Sequence, residues 1–455
     1  MKRQLILLVT GLCLVTLLSL IEKSFAGNPL VTHVHSADPS AHVWPGDDRV
    51  WIYASHDEPG TNTHHTMASY HVFSSTDLVN WVDYGRVLHV KDVSWAASHA
   101  WAIDAALWKG TYYLVYCMQE KGTGIFRTGL AISPVPQGPF TDIGFIQGID
   151  WGQDPALFVD DDETPYLFWG CGGGCFGAQL TEDLKSVVPG TMVDLKEQLF
   201  EVFEGPWVHK YQGKYYLTYP GLPGGEWPEN MYYAIADKPL GPYKSMGKYM
   251  PEFEGRSGTN HGSVIQYQGK WIFFYHSAHL SGGKSECRNL MADFLDYNDD
   301  GTIKPMSPTK AGVAIGIKPA PSRTTILLEA EHGKTSGGEL LGTAVGSERA
   351  GFSGPGYVFG FDQPNDRVTV LAQVAKDSKF RLKIGYAAAQ GDQEANVLVR
   401  YIMIKNVKFP QTDTFTELDL GIVELKEGDN LIHVLRDRHS GNIEVDYIKL
   451  EQILE

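Results

Sequence analysis

Five short aromatic runs recur along the chain and restrict its fold more than any other feature. The first is Val50-Trp51-Ile52-Tyr53, and the others lie at 112–116, 165–169, 215–219 and 271–275. Their first residues fall 62, 53, 50 and 56 positions apart, the length of a four-stranded sheet with its loops. Self-similarity at that period predicts a propeller of five blades. About ten residues before each run stands a carboxylate or a histidine: Asp38, Asp104, Asp154, Glu204 and His261. The innermost strand of every blade faces one axis, so these five positions should converge on a single spot.

At 455 residues the chain is too long for one ordinary core, and two domains are expected. Lys2 and Arg3, an apolar stretch from Leu5 to Ile21 and Ser24-Phe25-Ala26 read as a signal peptide over residues 1–26. The competing reading is an uncleaved anchor, because the apolar stretch is long enough to span a bilayer. Cleavage predicts a periplasmic or extracellular protein with no remaining membrane association. The whole chain carries a formal net charge of −16, and removing residues 1–26 leaves a net charge near −18. Such a surface repels nucleic acid and anionic lipid, whereas a neutral carbohydrate meets no such penalty. Four cysteines remain outside that segment. Cys171 and Cys175 are spaced to close a small loop, and no second close pair points to zinc.

Residues 28–318 contain all five repeats, in short strands separated by Gly, Pro, Asp and Asn turns. Residues 319–324, rich in proline, read as a linker. From 325 to 455 the aromatic repeat is gone. Strand candidates at 368–374, 380–386, 395–404 and 430–435 are spaced as in a β-sandwich of jelly-roll type. The expected class is therefore all-β: a five-bladed propeller followed by a sandwich.

Glycoside hydrolysis needs one protonated and one ionised carboxyl group flanking the scissile bond. A third acidic neighbour raises the pKa of the acid by repulsion. Asp38, Asp154 and Glu204 stand at matching offsets in three repeats, each beside Pro or Gly-Pro. With Ala37-Asp38-Pro39-Ser40, Trp101-Ala102-Ile103-Asp104, Asp154-Pro155-Ala156, Glu204-Gly205-Pro206-Trp207, Asn260-His261-Gly262-Ser263 and Arg288-Asn289 in order, the first domain resembles the glycoside hydrolases of family 43. The resemblance implies Asp38 as general base, Glu204 as general acid and Asp154 as the residue that orients Glu204 and keeps its pKa high. It also implies His261 near an axial water or Ca²⁺, and Arg288 as a sugar contact.

Asp104 departs from the family's pattern, since Ile103 precedes it where proline is common. It is read as a contact to a substrate hydroxyl, with capping of a strand end as the alternative. Trp101 and Trp207 are candidate walls of the sugar site, together with Trp95 and Trp227, although packing between blades suits any one of them. His56-Asp57-Glu58 with His64-His65 reads as a solvated rim loop.

In the second domain, Glu329-Ala330-Glu331 and Asp446-Tyr447-Ile448 resemble carbohydrate-binding modules of family 6, which implies a structural Ca²⁺ held by Glu329, Glu331 and Asp446. Asn442, Tyr357 and Tyr386 are its candidate ligand contacts. The domain contains no tryptophan, a departure from the usual aromatic cleft. The combined expectation is an exo-acting, inverting hydrolase releasing arabinofuranosyl, xylosyl or related galactosyl or galactofuranosyl units, with no organic cofactor. The alternatives are a propeller that binds glycans without cleaving them and a protein-interaction propeller. The latter would show a repeat near 40–45 residues.

Overall fold

The computed structural model describes residues 27–454 apart from 59–63, 252, 254, 256, 316–322, 336, 339–340 and 437–441. The expected signal peptide and most of the expected linker lie outside the described residues.

The first domain is a ring of five antiparallel sheets. Their innermost strands are Ser36–Val43, Ala96–Trp108, Ala156–Val159, Trp207–Tyr211 and Gly262–Tyr267. The aromatic runs form the second strand of each blade: Val50–His56, Thr111–Glu120, Pro165–Trp169, Lys214–Gly221 and Lys270–Ser277. These strands are sandwiched between neighbouring sheets, so both faces are buried and bulky aromatics fill the space between blades. Trp51, Tyr53, Tyr116, Phe168, Tyr219, Phe273 and Tyr275 are essentially inaccessible. The aromatic excess therefore builds the wedges between blades.

Among the described strands the fifth blade has three, and the segment entering the first blade closes the ring beside it. The amide of Leu30 bonds to the Leu290 carbonyl at 2.8 Å, and that of Ser36 to Arg288 at 2.9 Å. The buried Asn28 side chain donates to Ala292 and Thr309 carbonyls and accepts from the Ala292 amide. Residues distant in the chain thus become neighbours, which is how Asp38 comes to lie beside Arg288.

The second domain packs two sheets face to face. One contains Arg323–Glu329, Ser378–Ala388, Thr412–Leu425 and Glu444–Gln452; the other contains Arg367–Val374, Gln393–Val399, Ile402–Phe409 and Gly428–Leu435. The single strand expected at 395–404 is a hairpin instead. It turns at Arg400 and Tyr401, with Arg400 in the left-handed region at φ 55°. Val397, Val399, Val407 and Phe409 point into the core from its two arms, and the apolar pattern conceals the turn because Ile402 and Met403 are exposed.

The domains are joined by more than chain continuity. Arg323–Glu329 pairs in parallel with Asn80–His89, the outermost strand of the first blade, so one sheet runs through both. At this junction the buried Asp83 carboxylate meets His33 at 2.6 Å and His71 at 3.2 Å, and His71 reaches Gln373 of the second domain at 3.2 Å. Burial opposes the charge on Asp83, but His71 and His33 hold its pKa well below the usual carboxylate range.

Candidate active site

Asp38 sits in an irregular stretch between Ala37 and Ser40, where the first inner strand shifts register. Its φ is 53°, and that of Asp154 is 50°. Both precede proline, which disfavours the right-handed helical region for the residue before it. Left-handed backbone is strained for a residue with a side chain, least so for Asn and Asp. Glu204 precedes Gly205, which takes φ 57°; a Cβ there would lie 2.9 Å from the His261 ring. Only glycine admits that approach.

These turns bring Asp38, Asp154, Glu204, His261 and Arg288 to one pocket of about 290 Å³ at one end of the axis, with Trp101, Phe203 and the half-exposed Trp227 at its wall. Arg288 is almost wholly buried. Its Nη1 donates to Asp38 Oδ1 at 3.1 Å, while Nε and Nη2 form a bidentate pair with Asp57 at 3.0 and 2.8 Å. Burial alone would raise the Asp38 pKa; the Arg288 guanidinium, with His276 and His261, instead holds it well below the ordinary range. Asp38 is therefore held as a carboxylate. The Asp38 amide donates to His276 Nδ1 at 3.1 Å, and His276 Nε2 lies 2.9 Å from the Thr259 carbonyl. Nδ1 accepting and Nε2 donating is the neutral tautomer, in keeping with a pKa that burial depresses to about 4.

Across the pocket the balance is reversed. Carboxyl oxygens of Asp154 and Glu204 and the sulfur of Cys171 all lie within 4.8 Å of one another. The thiol of Cys171 donates to Glu204 Oε2 at 3.3 Å. Burial, together with repulsion from Asp38, raises Glu204 to about 7. Burial and repulsion from Glu204 and Asp38 push Asp154 well above its ordinary value. The pocket thus presents an ionised carboxylate on the first blade and a protonated carboxyl on the fourth.

Other expectations are corrected. Asp104 is fully buried below the pocket, where its carboxylate accepts from Ser40, from His42 Nε2 at 2.8 Å, and from the Ala105 and Leu157 amides at 2.6 and 2.7 Å. It ties three blades together and has no face left for substrate. Trp207 is buried lower in the channel, its indole donating to the Val264 carbonyl at 3.1 Å. Trp95 stacks on Tyr116. Asp57 and His56 are no rim loop: both are buried, and Asp57 is the main counter-ion of Arg288. Two signals could have found Asp57: it directly follows an apolar strand, and the buried Arg288 needs a second carboxylate. Glu229 and His276, also in this cluster, were missed, and no local motif marks either. Cys117, Cys171, Cys175 and Cys287 are free thiols, so 171 and 175 do not close a disulfide loop.

His261 lines the pocket, with its pKa lowered by burial. Among the described residues no cage of oxygen ligands forms around it, so it does not fit as the centre of a protein-built Ca²⁺ site. In the second domain, Glu329, Glu331 and Asp446 gather around the turn at Ser353. Ser353 Oγ donates to Glu329 at 2.7 Å and its amide to Asp446 at 3.0 Å, while the Gly356 amide donates to Glu331 at 3.2 Å. Burial raises these carboxyls to about 7, 8 and 6, respectively, and Glu331 Oε2 is buried without a partner. These are the hard oxygen donors that Ca²⁺ takes, and as a set of three they stand farther apart than 4.8 Å. Tyr386 is buried in the sandwich core, its hydroxyl donating to the Pro410 carbonyl. Tyr357 is buried against Phe352 and Phe415. Neither offers a stacking face. Asn442 is exposed.

A family profile for glycosyl hydrolases family 43 matches residues 26–303, and one for carbohydrate binding module family 35 matches 328–453, replacing the family 6 expectation. The chain is 34% identical to xylosidase/arabinosidase 43A of Humicola insolens, over 62% of this chain and 99% of that one. It is 33% identical to a β-xylosidase/α-arabinofuranosidase of family 43 from a compost microbial metagenome, solved with xylotriose in a calcium-free form (TM-score 0.56, covering 63% of this chain and 98% of that one). An arabinoxylan arabinofuranohydrolase from Bacillus subtilis, at 24% identity and TM-score 0.57, shares the fold over 94% of this chain and 98% of its own.

Proposed function

The chain belongs to the glycosyl hydrolases of family 43 and is a glycosidase, and from that premise we propose that it releases terminal xylosyl or arabinofuranosyl units with inversion at the anomeric carbon. The observation that carries the reading is the geometry of one small pocket, in which Arg288 stands on Asp38 while Glu204 packs against Asp154 and Cys171. Asp38, ionised beside Arg288, takes a proton from water as that water attacks the anomeric carbon. Glu204, with a pKa near 7, gives its proton to the departing oxygen. Asp154, packed against Glu204 and Cys171, orients that acid from the third blade. A pocket of about 290 Å³ suits one sugar at a chain end better than a continuous polymer. Relatives named for xylosidase and arabinosidase activity support the two pentoses.

The test is hydrolysis of nitrophenyl xylosides and arabinofuranosides, with proton NMR of the first-formed anomer. Turnover with inversion is expected; a retained anomer would overturn the role of Asp38 as base. Residues 1–26 are proposed to direct export, where polymeric substrate is found. The second domain is proposed to hold one Ca²⁺ through Glu329, Glu331 and Asp446; the ion's contribution there is to neutralise buried charge and close the domain's ends.

A further inference from the structure

Glu229 is a carboxyl of the active-site cluster with no role in the two-carboxyl reaction and no cationic partner among the described residues. It follows Trp227-Pro228 and immediately precedes the strand Asn230–Ala236, and its side chain is wholly inaccessible. Its Oε2 accepts the Asn260 amide at 2.5 Å, and Asn260 Nδ2 donates back to the Glu229 carbonyl at 3.2 Å. The Glu229 amide is bonded to the Gly258 carbonyl at 3.0 Å. Backbone and side chain are thus both clamped to the loop that carries His261. The remaining oxygen, Oε1, is buried and receives no hydrogen from any N–H or hydroxyl donor. The Glu204 carboxyl faces the Glu229 side chain.

A buried carboxylate with one bare oxygen and two acidic neighbours is a costly arrangement, whereas the acid form resolves it by turning its O–H toward Glu204. The geometry points to Glu229 as a neutral carboxylic acid that donates a hydrogen bond to Glu204, orienting the proton donor and stabilising the carboxylate left when the proton departs. Glu229 touches no substrate and is a positioning residue. The groups facing it are Glu204 and Asp154; Glu204 is itself faced by Cys171, Asp38 and Arg288. Among the described residues no cation pairs with Glu229, and burial with repulsion from Glu204 and Asp154 raises its pKa well above the ordinary value, which agrees with the neutral form. In the step, the Glu204 O–H breaks as the leaving-group O–H forms, and the bond from Glu229 becomes charge-assisted.

The inference rests on Glu204 being the general acid, and the wild type on the same substrates separates the two claims. Absence of turnover by the wild type sinks the hydrolase reading; turnover without the following shifts sinks only the role of Glu229. Glu229→Gln keeps a neutral donor, so the alkaline limb of its kcat/KM profile should stay within about half a unit of wild type. Glu229→Leu removes the donor, so that limb should rise by about one to two units. Its kcat should also fall more on xylo-oligosaccharides than on nitrophenyl glycosides, whose leaving groups need little protonation. A downward move of more than one unit in Glu229→Gln would mean an anionic Glu229 and overturns the proposal. An unmoved limb in a folded Glu229→Leu overturns it as well. Should Glu229→Leu not fold, infrared spectroscopy of the wild type and Glu229→Gln decides. A protonated-carboxyl stretch persisting at pH 8 and lost in Glu229→Gln supports the neutral acid, and its absence from the wild type refutes it.

Discussion

Removing the cation that ionises Asp38 should expose a hidden titration. Arg288 Nη1 stands 3.1 Å from Asp38 Oδ1, and both groups are buried. With charge centres about 4 Å apart and an effective permittivity of about 20, the attraction is about 4 kcal/mol, or about three pKa units. Asp57 shares the same guanidinium and offsets part of this, so a rise of about two units is expected in the variant. Loss of a positive neighbour favours the neutral acid, so the Asp38 pKa moves upward, and the base is then lost as pH falls. Arg288→Met alone would leave Asp57 buried and uncompensated, at a cost of about 3–5 kcal/mol. The informative protein is therefore Asp57→Asn/Arg288→Met. The acid limb of kcat/KM for a nitrophenyl pentoside should lie about two pH units higher in the double variant than in the wild type. Coincident acid limbs in two active, folded proteins would refute the electrostatic account of Asp38.

Other outcomes follow from the same geometry. Glu204 near 7 predicts that wild-type kcat/KM falls about tenfold per pH unit above that value, and a profile flat to pH 9 would contradict it. Glu204→Gln should lose about 10²- to 10⁴-fold on poor leaving groups and far less on activated aryl glycosides, whereas Asp38→Asn should lose on both; equal rescue would break the assignment. Asp104→Asn should lower the unfolding free energy by about 2 kcal/mol while KM stays within twofold, because the carboxylate joins blades and does not contact sugar. Ca²⁺ at about 100 times its dissociation constant should stabilise the sandwich domain by about 2.7 kcal/mol, read as a Tm shift reversed by chelation and absent in Asp446→Asn. An unshifted Tm in the wild type would remove the ion from that domain.

The convergence of the three carboxyls proposed for catalysis was legible because each lies at a fixed offset from a repeated strand and beside a residue that constrains its backbone. Periodicity placed Asp38, Asp154 and Glu204 on one axis without knowledge of any loop. The same logic misassigned Asp104: it occupies the equivalent repeat position, but it lies deeper along the axis, where the Ser40, His42 and Leu157 donors consume it. Depth along a strand is not written in the spacing. Trp207 failed for the same reason. Glu229 was unreadable for another, since it gains its meaning from Glu204 and Asn260, which only the packing of neighbouring blades brings near, while Asp57 meets Arg288 through ring closure.

The alternation of apolar and turn residues determined by itself that this chain makes short strands in five repeats and then a sandwich, because burial on both faces of a blade demands the aromatics that mark it. Which carboxyl holds a proton was decided only in three dimensions. Protonation depends on the sum of burial, nearby charge and hydrogen bonds at one point in space. Asp38 and Glu204 carry the same functional group; they differ because a guanidinium 250 residues along the chain closes on the first, whereas burial, with repulsion from Asp38, raises the pKa of the second.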